Sequence, residues 1–172
     1  MKLLFKQRLF SWLCSYDIYD EAGIRANARA LQEAFAWNKG FKEYFAVKAL
    51  PNPTVLRILK EENCGVDCSS ECELLLAEKV GFSGDQIMFS ANAMPPAEFV
   101  HARKLNAIVN LDDINDIDLL KDNGGIPEEI CLRFNPGGEF RIGNAIMGMP
   151  GDSKYGFTTE QLFEGFRILK EK

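Results

Sequence analysis

Two hydrophobic periods alternate along the chain, and their alternation predicts its architecture. Five short runs are rich in apolar and β-branched residues, as buried strands are. They lie within residues 41–50, 64–68, 86–90, 107–111 and 129–134. Between these runs, apolar residues recur every three or four positions, which predicts helices. Repeated alternation of this kind indicates parallel strands joined by right-handed helical crossovers.

Local signals add one strand and two helix starts to this pattern. Aromatic and β-branched residues alternate with acids over 16–20, which predicts a short strand before the first helix. Ser70 with Glu73, and Thr158 with Gln161, have the spacing of capping boxes. We therefore expect helices to begin directly after Ser70 and Thr158.

A doubly wound open sheet and part of a (β/α)8 barrel both agree with this alternation, and the strand ends favour the barrel. Polar residues follow nearly every predicted strand at the same end. They are Lys48; Asp67, Ser69 and Ser70; Ser90 and Asn92; Asn110 and Asp112; Arg133 and Asn135. Polar groups from many successive strands are typical of a barrel rim, whereas an open sheet has its site at one switch point. The predicted fold class is α/β, a partial (β/α)8 TIM-type barrel with about five βα units.

The charge balance narrows the class of partner. The chain of 172 residues has a net charge of −5 and a pI near 5.0, which argues against a nucleic-acid surface. A small molecule is the expected partner. Residues 1–8 are partly basic but lack the apolar run of a secretory signal, and no stretch approaches the roughly 20 apolar residues of a membrane span. We therefore expect a cytoplasmic protein.

The five cysteines predict reduced thiols and no metal site. Their number is odd, and a chain of this length does not depend on disulfides, so a reducing compartment is expected. Cys64, Cys68 and Cys72 are evenly spaced, but the spacing matches no zinc or iron–sulfur signature, and the single histidine, His101, lies far along the chain. We interpret Cys64 and Cys68 as small strand residues and Cys72 as part of a helix start.

Lys48 is the first candidate for chemistry, because it lies at the end of the apolar strand predicted over 41–50. A lysine that is partly desolvated there would have a lowered pKa and could act as an amine nucleophile, as Schiff-base lysines do. A solvated lysine at a strand end is the alternative interpretation.

A long connection over 135–157 joins the fifth predicted strand to the last helix. A connection of this length inside a domain is usually functional. Because apolar residues such as Ile142, Ile146 and Phe157 lie among its glycines, we expect it to pack over the rim or against a partner. A surface loop without a function is the alternative.

Four motifs occur in order along the chain. They are YFAVKA at 44–49, VDCSSECEL at 66–74, RFNPG at 133–137 and SKYGF at 153–157. Together they resemble the alanine-racemase-fold decarboxylases that use pyridoxal phosphate. The chain is most similar to diaminopimelate decarboxylase and to its carboxynorspermidine and ornithine/arginine decarboxylase relatives. The resemblance covers residues 16–172.

The resemblance implies roles for the rim residues. Lys48 is the residue that would bond to the aldehyde of pyridoxal phosphate. The cofactor-binding residues that it implies are Lys48, Asp67, Ser69, Ser70, Asn92 and Arg133. A substrate or interface loop would contain Ser153, Lys154 and Tyr155, where Tyr155 replaces the usual phenylalanine, and a homodimer or other self-association is expected. For Asp67 and Arg133, a purely structural ion pair is the alternative.

Members of this family are more than twice as long as this chain. The resemblance therefore implies an N-terminal segment at 1–20 and, at 21–172, the N-terminal part of a pyridoxal-phosphate-binding barrel that lacks three βα units, a glycine-rich phosphate loop and a C-terminal β domain. The expected parent enzyme converts meso-diaminopimelate to L-lysine and CO2, and we expect little activity from the chain alone. A decarboxylase for another of the family's substrates and a non-catalytic binding relative are the alternatives.

Overall fold

The elements of the fold follow the hydrophobic pattern closely. The computed structural model describes residues 17–92, 95–137 and 155–171. Helices and strands alternate along them. They are α1 (Glu21–Ala34), β1 (Tyr44–Ala46), α2 (Pro53–Glu61), β2 (Gly65–Cys68), α3 (Glu71–Val80), β3 (Ile87–Ser90), α4 (Pro96–Lys104), β4 (Ile108–Leu111), α5 (Asp116–Asn123), β5 (Ile130–Leu132) and α6 (Thr159–Lys170). None of the helices in these ranges is both long enough and apolar enough to cross a bilayer.

The five strands form one parallel sheet in the order β1-β2-β3-β4-β5. Every strand therefore pairs with the next one along the chain, and no strand returns to the other side of the first. This sequential order is that of a barrel wall, whereas a doubly wound sheet reverses its strand order. The predicted fold class, a partial TIM-type barrel, is confirmed.

One face of the sheet is buried beneath the crossover helices. Alternate residues of the central strands share a single core with residues of α2, α3, α4 and α5. The strand residues in this core are Val66, Cys68, Ile87, Phe89, Val109 and Leu111. The helix residues in it include Leu56, Leu74, Phe99 and Ile117. The helices thus cover the side that forms the outer wall of a barrel.

The opposite face carries a mixture of polar and apolar side chains. Asp67 is aligned with Met88 on the neighbouring strand, and Asn110 is aligned with Ser90 on one side and Cys131 on the other. All five of these residues are only partly buried. In a barrel this face lines the interior, so its polar residues near the strand ends face the position of a ligand.

A sixth position in the sheet is marked by the last residue of the long connection. Phe157 forms a parallel β-bridge with Phe134, its N–H donates to the Arg133 carbonyl oxygen at 2.7 Å, and its own carbonyl oxygen accepts from the Asn135 N–H at 2.9 Å. Phe157 is fully buried in the main core. The end of the long connection therefore packs against the rim, while its central part, 138–154, lies outside the described residues.

Two local predictions are wrong and one is confirmed. Residues 17–20 form no strand, so the strand expected over 16–20 is not found among the described positions. Ser70 occupies the N-cap position of α3 but its side chain makes no capping hydrogen bond. At α6 the predicted box forms, because Thr158 Oγ1 accepts from the Gln161 N–H and the Gln161 side chain accepts from the Thr158 N–H.

A buried carboxylate holds α1 against the end of α2. Glu62, only 9% exposed at its side chain, contacts Arg29 Nε at 2.6 Å and Arg25 Nη1 at 2.9 Å. The hydrogen bonds from Arg29 and Arg25 lower the pKa of Glu62 to about 2. A buried carboxylate is costly unless it is paired, and the two arginines compensate the charge of Glu62 there.

Replacing Glu62 by glutamine is expected to lower thermal stability at neutral pH. The pKa of Glu62 falls from an ordinary 4.5 to about 2 on folding, so its carboxylate stabilises the fold fully above pH 4.5 and progressively less as the pH falls towards 2. Melting temperatures of wild type and Glu62→Gln should differ at pH 7 and converge near pH 2. Glu33→Gln, an exposed control on α1, should follow wild type. Equal melting temperatures for Glu62→Gln and wild type at pH 7 would contradict this role.

Candidate active site at the strand ends

Lys48 lies just beyond the end of β1. The strand ends at Ala46, and Val47–Ala49 form one turn of 3-10 helix, closed by a hydrogen bond from the Leu50 N–H to the Val47 carbonyl oxygen at 3.1 Å. Val47 is fully buried and anchors this turn, whereas Lys48 is exposed. The position of Lys48 at the rim agrees with the sequence, but the expected desolvation of its amine is wrong for this chain.

Asp67 projects from β2 with one oxygen that has no partner. Its Oδ1 is buried and accepts no hydrogen bond from any of the described residues. Burial raises the pKa of Asp67, while a hydrogen bond from Ser90 and the positive charges of Lys48 and Arg133 act in the opposite direction. The fold therefore brings Lys48, Asp67 and Arg133 within electrostatic reach of one another, although they are far apart in sequence.

Arg133 follows β5 and binds two other strand ends. Its Nη1 lies 2.7 Å from Asp112 Oδ1 and donates to Asn92 Oδ1 at 2.9 Å. Asp112 Oδ1 accepts no hydrogen bond of good geometry among the described residues, so its contact with Arg133 is a close ion pair. The direct pair between Asp67 and Arg133 that sequence reasoning considered does not form, and Asp112 takes that place.

Asp112 is a site residue that sequence reasoning did not select. The sequence shows Asp112 as one of the polar residues after the fourth strand. Because Asp113 follows it directly, the sequence does not indicate which of the two aspartates belongs to the site. Only the structure distinguishes them, because Asp112 is 6% exposed and Asp113 is exposed. Burial raises the pKa of Asp112, and the charge of Arg133 and a hydrogen bond from the Gly156 backbone oppose that rise.

The turn between β2 and α3 differs from the predicted capping box by one residue. Glu73 accepts hydrogen bonds from the Ser69 N–H at 2.8 Å and from the Ser69 hydroxyl at 3.2 Å, in place of the expected contact with Ser70. The Ser69 hydroxyl is therefore engaged within its own turn, and the Ser70 hydroxyl is not used as a cap. Of the two predicted cofactor contacts, Ser70 is therefore the one whose hydroxyl is not used to cap this turn.

Tyr155 and Gly156 close the rim beside Arg133. The Tyr155 carbonyl oxygen accepts from Asn135 Nδ2 at 2.8 Å. Gly156 has a φ of +90°, and a Cβ atom there would lie 3.1 Å from the Arg133 carbonyl oxygen. Glycine is thus required both by the backbone conformation and by the close approach of Arg133. Ser153 and Lys154, the other two residues predicted for this loop, lie outside the described residues.

Among the described residues, the cysteines and the histidine form none of the rim contacts given above. Cys68 is a buried residue of β2 and exposed Cys72 is the second residue of α3, both as predicted, whereas buried Cys64 precedes β2. His101 Nδ1 contacts Glu71 Oε1 at 2.8 Å, between α3 and α4. Across the described parts of the chain, no three His, Cys, Asp or Glu side chains are grouped so that they could hold a metal ion.

The chain is similar in sequence to known proteins. Residues 21–172 match the family model described as the pyridoxal binding domain of pyridoxal-dependent decarboxylases. Among curated relatives, Protein TabA of Pseudomonas amygdali pv. tabaci is 36% identical over 95% of this chain. A diaminopimelate decarboxylase of Actinosynnema pretiosum subsp. auranticum is 30% identical over 83% of it.

Solved structures agree with these sequence matches. Diaminopimelate decarboxylase of Helicobacter pylori, complexed with L-lysine, matches 88% of this chain with a TM-score of 0.75 and 28% identity. The enzyme of the same name from M. jannaschii matches 88% of the chain with a TM-score of 0.78 and 24% identity, which supports the fold alone. The chain spans 40% of TabA, 32% of the Actinosynnema enzyme, 39% of the H. pylori chain and 37% of the M. jannaschii chain.

Gly156→Ala is expected to destabilise the fold more than Gly125→Ala. Gly125 also has a positive φ, of +74°, but no atom lies within 4 Å of a Cβ placed there. Alanine at position 125 should therefore cost only the left-handed backbone strain of about 1–2 kcal/mol. At position 156 the contact with Arg133 adds to that cost. Urea unfolding measures the free energy of unfolding of both variants. Equal losses would show that the contact between a Cβ at position 156 and Arg133 does not affect stability.

Proposed function

The chain belongs to the family of pyridoxal-dependent decarboxylases, and from this premise we propose that it is the N-terminal part of the cofactor-binding barrel of an amino-acid decarboxylase. Pyridoxal phosphate is the cofactor of this family. The observation that carries the proposal is the meeting of three groups at one rim. They are the exposed amine of Lys48, the unpartnered oxygen of Asp67 and the guanidinium of Arg133.

The donor set at this rim fits such a cofactor. An unpartnered buried carboxylate oxygen is costly unless a ligand donates to it, so Asp67 Oδ1 is suited to accept from a polar group of a bound molecule. Lys48 supplies an amine that can bond to the cofactor aldehyde. Ser70 and Asn92 would add hydrogen bonds at the same edge. When bound, pyridoxal phosphate accepts the electron pair left on the substrate carbon as CO2 departs.

Each residue of the proposed site would then have a separate role. Lys48 would bond to the cofactor through its side-chain amine, and its exposure leaves it open to a ligand. The carboxylate of Asp67 would favour a positive or donating group of the ligand beside it, and Arg133 would supply a positive charge near the negative charge that the cofactor and substrate bring. Tyr155, half exposed beside Asn135, would contribute to the substrate or interface loop together with Ser153 and Lys154.

For the substrate, we propose meso-diaminopimelate, which the whole enzyme would convert to L-lysine and CO2. Several curated relatives carry the name diaminopimelate decarboxylase, and three matched structures contain L-lysine. The match to TabA, at 36% identity, and the fold match to a lysine/ornithine decarboxylase keep a different amino-acid substrate as the second candidate. A panel of amino acids that includes meso-diaminopimelate, lysine, ornithine and arginine, assayed for CO2 release by the whole protein, separates these candidates.

Covalent labelling tests the role of Lys48 directly. The chain is incubated with pyridoxal phosphate, reduced with borohydride and digested, and the modified lysine is located by mass spectrometry. The expected result is a pyridoxyl group on Lys48, no label at that position in Lys48→Arg, and an unchanged label in the exposed control Lys39→Arg. Equal labelling of all surface lysines would refute a specific role for Lys48.

We also propose that the chain self-associates and has little activity alone. Among the described strands, β1 pairs only with β2, so its outer edge is open to another chain. On α6, Phe163 and Phe166 are 72% and 47% exposed. Light scattering should therefore give a mass above that of one chain, and CO2 release from meso-diaminopimelate should be at background. A monodisperse monomer would contradict the first expectation, and turnover by the chain alone would contradict the second.

A further inference from the structure

Asp112 is the most deeply buried acidic residue of the rim. It follows β4, is 6% exposed, and lies beside exposed Asp113. A carboxylate in such a position is stable only when a cation or donors compensate its charge. The close contact of Arg133 Nη1 with Asp112 Oδ1, at 2.7 Å, supplies that compensation.

Three successive strand ends meet at one guanidinium nitrogen. Arg133 follows β5, and its Nη1 reaches Asp112 after β4 and Asn92 after β3. The backbone of Gly156 also bonds to Asp112, and the Phe157 N–H donates to the Arg133 carbonyl oxygen. Asp112 and Arg133 therefore connect the middle of the rim to the turn that ends the long connection.

Asp112 and Asp67 are two carboxylates near a single guanidinium. The charge of Arg133 acts on Asp67, yet Asp67 Oδ1 has no hydrogen-bond partner among the described residues. Arg133 is in direct contact with Asp112 instead. If Asp112 lost its charge, Asp67 would be a carboxylate on which the charge of Arg133 already acts, and a pair between them would occupy the oxygen that is open to a ligand.

We propose that Asp112 is a positioning residue that holds Arg133 away from Asp67 and so keeps the Asp67 carboxylate available to the cofactor. The inference rests on the proposed function of this rim. It assigns to Asp112 no contact with cofactor or substrate. Its effect passes through the orientation of Arg133 alone, and this distinguishes it from a general contribution to stability.

The first test measures pyridoxal phosphate affinity by absorbance titration of the 172-residue chain. Asp112→Asn should weaken binding by about tenfold, which corresponds to roughly 1.4 kcal/mol. Asp122→Asn, an exposed control on α5, should bind as wild type does. In an Arg133→Gln background, Asp112→Asn should cause no further loss, because its only route of action has been removed. Wild-type affinity in Asp112→Asn, or an equal loss in both backgrounds, overturns the proposal.

A second readout does not depend on cofactor binding. The side-chain N–H resonance of Arg133, assigned by its absence in Arg133→Gln, reports the environment of the guanidinium by NMR. It should shift in Asp112→Asn and return towards the wild-type position in Asp112→Asn combined with Asp67→Asn, where Arg133 has lost its alternative partner. An unchanged resonance in Asp112→Asn overturns the proposal. Absence of pyridoxal phosphate binding in wild type would count against the proposed function, while the resonance would still decide whether Asp112 positions Arg133.

Discussion

The parallel pairing of consecutive strands is the constraint on which the rest of this structure depends. Each strand buries one face beneath its crossover helix and runs parallel to the next strand. The carboxyl ends of all the strands therefore lie on the same side of the sheet. Residues that directly follow the strands are then brought to a common rim although helices separate them in sequence. Lys48, Asp67, Asn92, Asp112 and Arg133 are neighbours for this reason.

The electrostatics of the rim follow from how unevenly its charges are buried. Lys48 is exposed, Asp112 is almost completely buried, and Asp67 and Arg133 are intermediate. Burial raises the pKa of both carboxylates, and the nearby cations oppose the rise. Arg133 contacts Asp112, and Asp67 Oδ1 has no hydrogen-bond partner among the described residues. Such an unsatisfied buried acceptor in a scaffold that is otherwise well packed is the feature expected of a ligand site.

Hydrophobic periodicity predicted the type and order of the elements because it reports which side of each segment is buried. It placed their ends less well. The lysine-bearing strand was predicted over 41–50, but only Tyr44–Ala46 is extended, because the chain turns into a 3-10 helix at Val47. At 16–20 an alternating pattern gave no strand over the described residues, since no neighbouring strand pairs with it there. Alternation indicates a strand only where the segment pairs with a sheet.

The amino-acid sequence alone determined the α/β class, the sequential strand order of a barrel and the set of polar residues at its rim. These depend on burial patterns and on chain direction, which are local or follow from general rules of connection. Tertiary structure alone decided which partner each rim residue has. The choice of Asp112 over Asp67 for Arg133, and of Ser69 over Ser70 for Glu73, depends on differences of a few ångströms between side chains. Ion pairs and hydrogen bonds are sensitive to such distances, whereas the hydrophobic pattern is not.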